Sequence, residues 1–83
     1  MSWPSWWEWE LELTPHLEKR MIQRDFTEID LRAMLRRATG HRPDVEPGRW
    51  VIETRHRDGA WEVTVEPEHA VRRMVVVTAY PIA

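Results

Sequence analysis

From Trp6 to Leu13 the chain alternates, with Trp7, Trp9, Leu11 and Leu13 on one side and Glu8, Glu10 and Glu12 on the other. A period of two predicts a half-buried strand over this stretch, and its acidic outer row near the terminus predicts an edge strand guarded by charge. Met1 to Ser5, interrupted by Pro4, reads as an irregular lead-in. The period then changes. Thr14 is suited to cap a helix and Pro15 to fill its first position, where a missing N–H costs nothing. Leu17 and Met21 form an apolar pair one turn apart, so a helix is predicted from Pro15 to about Arg24. A second helix follows Thr27, with Glu28 and Asp30 in its first turn and an apolar stripe at Leu31, Met34, Leu35 and Ala38. Arg36 and Arg37 fall near its end, and Gly40 is placed to cap it.

His41 to Gly48, with Pro43, Pro47 and Gly48, reads as a loop. Two alternating stretches flank Asp58-Gly59, a strong hairpin signal. Trp50, Ile52, Thr54 and His56 share one face of the first, and Trp61, Val63 and Val65 one face of the second. With Asp58 and Gly59 as the two turn residues, Arg57 falls opposite Ala60, His56 opposite Trp61, Arg55 opposite Glu62 and Ile52 opposite Val65. Pro67 to Val71 is a second connection. Arg73 to Tyr80 is almost continuously apolar and β-branched, which predicts a central strand covered on both faces and ended by Pro81. The expected fold is therefore α+β in the order β-α-α-β-β-β. Two helices pack on the Trp50/Ile52/Trp61/Val63/Val65 face of a mainly antiparallel four-stranded sheet, in one domain spanning residues 1–83.

Composition narrows the class. The absence of cysteine removes disulfides and thiolate metal sites, which favours a reducing compartment. No run approaches a membrane span, and the N-terminus has no basic start and apolar core of a signal peptide, so a cytoplasmic protein is expected. The formal charge of −2 hides an asymmetry: residues 19–57 carry ten bases against six acids, and both flanks are acidic. Nearly all the bases are arginine, which suits bidentate phosphate contacts.

His16, Arg20 and Arg24 recur at i, i+4 and i+8, stacking an imidazole and two guanidiniums along one helix face. His16 is a candidate proton carrier, or else a first-turn residue bonded to backbone or solvent. Arg20 and Arg24, with Arg57 in the same basic segment, are candidate nucleic-acid contacts; the alternative is a solvated face with Arg24 paired to Glu28. Arg55 beside Glu62 offers a phosphate binder next to a carboxylate base, or a cross-strand ion pair. Thr78 and Tyr80 share a face, and Tyr80 can donate a proton or stack on a base. The four histidines show no metal-ligand spacing, so no metal or other cofactor is expected. The tryptophans are expected to fill the core, apart from Trp3 and Trp6, whose expected exposure marks a partner surface.

The helix-one segment from His16 to Arg24, the following Phe26-Thr-Glu-Ile-Asp-Leu, the Asp58-Gly59 hairpin and the final Val-Val-Val-Thr-Ala-Tyr strand resemble the RelE/ParE toxin superfamily of bacterial toxin–antitoxin systems. The likeness covers roughly residues 14–80 and is nearest to the BrnT-like branch and related small domains of unassigned function. It implies a toxin-like protein, and many such proteins are metal-independent endoribonucleases acting on free or ribosome-bound mRNA. Their chemistry uses arginines with a His, Glu, Lys or Tyr, because attack of a 2′-hydroxyl on phosphorus needs a proton acceptor, a proton donor and cations. On this resemblance the catalytic candidates are His16, Arg55, Glu62 and Tyr80, and a small cognate antitoxin is expected to cover the open sheet face. The alternative is a non-catalytic binding or dimerisation module on the same fold, its Trp-rich N-terminal strand adding to another sheet edge as a homo-oligomer contact.

Overall fold

The computed structural model describes residues 3–82. It has two helices against one face of a five-stranded mixed sheet, so the α+β class holds while the strand count rises by one. The strands are β1 (Glu10–Leu13), β2 (Gly40–Pro43), β3 (Trp50–His56), β4 (Gly59–Glu68) and β5 (Arg73–Pro81), in spatial order β1-β5-β4-β3-β2. β1 runs parallel to β5, and the other three pairings are antiparallel. Among the described residues, no helix is long and apolar enough to cross a membrane.

The helices begin where side-chain oxygens can satisfy their free N–H groups. Thr14 Oγ1 accepts from the Leu17 N–H at 3.1 Å, and α1 runs Pro15–Arg24. It stops at Asp25, whose φ of 54° no helix can continue. Thr27 and Asp30 exchange side-chain-to-backbone bonds in a capping box that starts α2, Glu28–Arg36. α1 lies over β5 and α2 over β3. Leu17 from α1 and Leu31, Met34 and Leu35 from α2 bury against Ile52, Val63, Val65, Met74, Val76 and Ala79, so the helices cover the expected sheet face.

Five expectations are corrected. First, the stretch expected as one strand divides into a 3-10 turn at Ser5–Glu8 and the short β1. A strand would have left Trp6 on the acidic face; the turn instead buries it to 5% exposure, 5.7 Å from the Trp50 ring. Trp3 is half-buried and stacks on Trp7 at 4.5 Å, so neither indole stands free; residues 1 and 2 of the expected lead-in lie outside the described residues.

Second, the expected His41–Gly48 loop contains β2, which pairs with Trp50–Glu53. Four residues are too few to show a period. Third, Gly40 opens β2 and does not cap α2, whose C-cap is Arg37. A Cβ at Gly40 would lie 2.6 Å from Glu53 Oε1, so the glycine leaves room for that carboxylate.

Fourth, the hairpin turn is made by Arg57 and Asp58, both left-handed at φ 51° and 62°. His56 therefore faces Gly59, Arg55 faces Ala60, Thr54 faces Trp61, Glu53 faces Glu62 and Ile52 faces Val63. This is a two-residue shift from the expected register. It keeps every side chain on its face, because the period is also two. Fifth, β5 is central but carries helices on one side only, with Val75 half-buried on the other.

β5 also carries an irregularity that decides which side chains reach the uncovered face. Its pairing with β4 runs from Arg73 opposite Glu68 to Val76 opposite Val65, then jumps to Thr78 opposite Thr64. Val77 is the extra residue of a β-bulge. Without it, Thr78 and Tyr80 would share the core face with Met74 and Val76. With it, Ala79 enters the core and Thr78 and Tyr80 turn to the uncovered face. Thr14 Oγ1 lies 3.0 and 3.2 Å from the Val76 and Val77 carbonyl oxygens, so the residue that caps α1 also donates to the bulge.

Candidate functional site on the open sheet face

The bulge sets Tyr80 directly beside Glu62, and the phenol donates to Glu62 Oε1 at 2.7 Å. The other Glu62 oxygen, Oε2, accepts from Arg42 Nη2 at 2.8 Å. Arg42 Nη1 in turn donates to Glu53 Oε2 at 2.6 Å. One chain of hydrogen bonds thus joins four strands, from Glu53 on β3 through the Arg42 fork on β2 to Glu62 on β4 and Tyr80 on β5. The Arg42 fork explains how Glu53 and Glu62 tolerate facing each other, since like charges opposite one another are unfavourable unless bridged. Further along the face, Arg49 donates to Glu66 at 3.0 Å.

The protonation states are set by these bonds. Arg42, and then the Tyr80 hydroxyl, hold the Glu62 carboxyl below its ordinary range, so it is ionised at neutral pH. Bonding to Glu62, and then burial, push the Tyr80 phenol above its ordinary range, so it keeps its proton. The Arg42 guanidinium is held charged, first by Glu62. Side by side stand an ionised carboxylate, a protonated phenol and a guanidinium.

Two of the four catalytic candidates, Glu62 and Tyr80, are brought together here. The others lie elsewhere. Arg55 shares the open face but sits opposite Ala60, a diagonal neighbour of Glu62, and donates to the Asp58 carbonyl at 3.2 Å. His16 is exposed on α1, on the opposite side of the sheet. Arg20 donates to Gln23, and Arg24 donates to the Ala79 carbonyl at 3.0 Å, joining α1 to β5. Arg24 is thus taken up by the strand and not by Glu28. Arg57 lies in the hairpin turn, 3.9 Å from Asp25. The helix-one row and the open-face cluster therefore belong to different surfaces.

Arg42 is the member of the cluster that sequence pattern does not reveal. Its stretch, Gly-His-Arg-Pro, gives no periodic signal, and only the Pro47-Gly48 turn between it and Trp50 hints at a returning strand. Among the described residues, no three His, Asp or Glu side chains come together as metal ligands. Comparison with protein-family models, with curated proteins and with solved structures finds no match for this chain.

Proposed function

We propose that this chain is the toxin-like component of a bacterial type II toxin–antitoxin pair, acting in the cytoplasm as a metal-independent endoribonuclease on its open sheet face. The observation that carries the proposal is the β-bulge at Val77, which turns Tyr80 out of the core and onto Glu62 and Arg42. Bulges commonly re-aim a side chain at a functional site. The three groups supply what cleavage by an internal 2′-hydroxyl requires. The 2′-oxygen forms its bond to phosphorus as the bond to the 5′-oxygen breaks. Glu62 takes the 2′-hydroxyl proton, and Tyr80 protonates the departing 5′-oxygen. The hydrogen bond between them then returns the proton from Glu62 to the phenolate, restoring both. Arg42 faces the charge that develops on the phosphoryl oxygens.

The substrate is single-stranded mRNA, free or on the ribosome, and a small antitoxin covers the face to silence it. Pure protein is incubated with labelled mRNA, with and without ribosomes and with a chelator present. Glu62→Gln and Tyr80→Phe should each slow cutting by about a hundredfold or more, the usual contribution of a positioned acid or base. Wild type no faster than the double variant, under every condition, rules the nuclease out.

A second reading has one observation in its favour. Among the described residues β1 lies at the edge of the sheet, paired on one side only, so its other side can take a strand from a partner or a second copy. Glu10 and Glu12 are exposed there.

A further inference from the structure

β2 accompanies β3 only from Trp50 to Glu53, so among the described residues Thr54 to Arg57 have no strand on their outer side. The edge is bordered by α2, whose final residues bring Arg37 to it; Arg37 Nη2 donates to the Arg55 carbonyl at 3.4 Å. Arg37, Arg55, His56, Arg57 and Asp58 line a cleft of about 270 Å³ at this corner. Three arginines and a histidine there stand against one aspartate.

Two features mark this corner. Arg32, Arg42 and Arg49 each have a carboxylate within 3.0 Å. Of the three arginines in the cleft, only Arg57 has an acidic partner among the described residues, Asp25 at 3.9 Å, and that carboxylate is 97% exposed. Asp30 is near enough for His56 and Arg57 to act on it, but its carboxylate is engaged by the Thr27 N–H. Among the described residues Arg37 and Arg55 make only single bonds, to backbone carbonyls, which leaves most of their donors unused. The second feature is His56. The residue is 6% exposed, and its Nε2 is the one buried side-chain polar atom with no partner among the described residues. An orphaned buried polar atom is uncommon and needs a cause.

We propose that this cleft is a phosphate-binding site. Tetrahedral oxyanions suit several guanidinium forks at once, and a bound phosphate would occupy the unused donors of Arg37, Arg55 and Arg57. The site lies at the hairpin end of the sheet and stands whether or not the open face is catalytic. The phosphate can belong to a nucleic-acid backbone or to a small molecule, and both sources present the same chemistry.

The test is an amide and imidazole NMR titration at constant ionic strength with three probes. These are inorganic phosphate, a nucleoside monophosphate, and a short single-stranded RNA without terminal phosphates. Saturable shifts at Arg37, Arg55, Arg57 and the His56 ring are expected. Binding of the two small probes alone assigns a terminal or free phosphate; binding of the RNA assigns the backbone; either supports the site. Replacing both Arg37 and Arg55 by Gln should weaken binding by about tenfold or more, while Lys19→Gln on α1 leaves it unchanged. Both arginines are exposed, and unchanged thermal melting verifies that the double variant folds. No saturable shift with any probe, or equal weakening by Lys19→Gln, overturns the proposal.

Discussion

Tyr80 is the only tyrosine in the chain, so phenolate absorbance reports its ionisation alone. The Glu62 carboxylate and burial both favour the neutral phenol, and wild type should titrate above the ordinary 10.0. Glu62→Gln removes the larger cause and should bring the midpoint back towards that value. The same bond ties stability to pH. A folded-state value above the unfolded one gives stability that is complete below the unfolded value and is lost as pH rises through the folded one. Glu62 is the opposite case, because Arg42 and Tyr80 depress it: its stability is present above the unfolded value and disappears as pH falls through the folded one. Denaturant titrations between about pH 5 and 3 should therefore show wild type losing more stability than Glu62→Gln. A Tyr80 midpoint that does not move in the variant would mean the two side chains are not bonded in solution.

At the scale of elements, the β3–β4 hairpin shows what hydrophobic pattern can and cannot decide. Asp58-Gly59 marks the turn to within one residue, yet the residues that bend are Arg57 and Asp58, and Gly59 has no left-handed backbone. Two registers two residues apart give the same faces, so the alternation of Ile52, Val63 and Val65 is blind to the choice. What distinguishes them is polar: the observed register sets Glu53 against Glu62 where Arg42, on a strand too short to show a period, bonds both. The same limit hides the bulge, since the Val75-Val76-Val77 run is apolar in either phase and only pairing with β4 reveals the extra residue. The helices are legible because their signals are local: Thr14 and Thr27 cap, and Leu31, Met34 and Leu35 form the buried stripe. The hairpin geometry yields opposite expectations at adjacent positions. Gly59→Ala should cost less than about 1 kcal/mol, because its Cβ would meet only the His56 carbonyl at an ordinary 3.6 Å. Asp58→Gly should leave stability unchanged or raise it by up to about 1 kcal/mol, since it relieves a left-handed non-glycine residue. Urea unfolding of the two variants checks this, and a Gly59→Ala that costs well over about 1 kcal/mol would restore the turn at Asp58-Gly59.

For the whole molecule, the N-terminal segment is part of the fold. It leaves β1 at one sheet edge and reaches the other, with Trp6 at 5.7 Å from Trp50 on β3 and Trp3 at 5.0 Å from His41 on β2. Trp6 joins the core at 5% exposure, and Trp7 and Trp9 pack against it. Truncating a buried tryptophan to alanine costs about 3–5 kcal/mol. A chain of 83 residues has on the order of 4–12 kcal/mol in total, so Trp6→Ala should remove much of the stability and lower the melting point by many degrees. Removing residues 1–9 should do at least as much, which confounds any test of self-association made by deleting them. The edge of β1 is better tested in the intact chain, by sedimentation across a wide concentration range. A mass that rises with concentration, and rises further when wild type is mixed with a Glu10→Lys, Glu12→Lys variant that sets opposite charges across the seam, supports strand addition at β1. A constant monomer mass removes self-association there and leaves that edge to a partner of another kind. If instead Trp6→Ala melts like wild type, the segment is not a structural strap, and its indoles are free to form the partner surface that their number in so small a chain suggests.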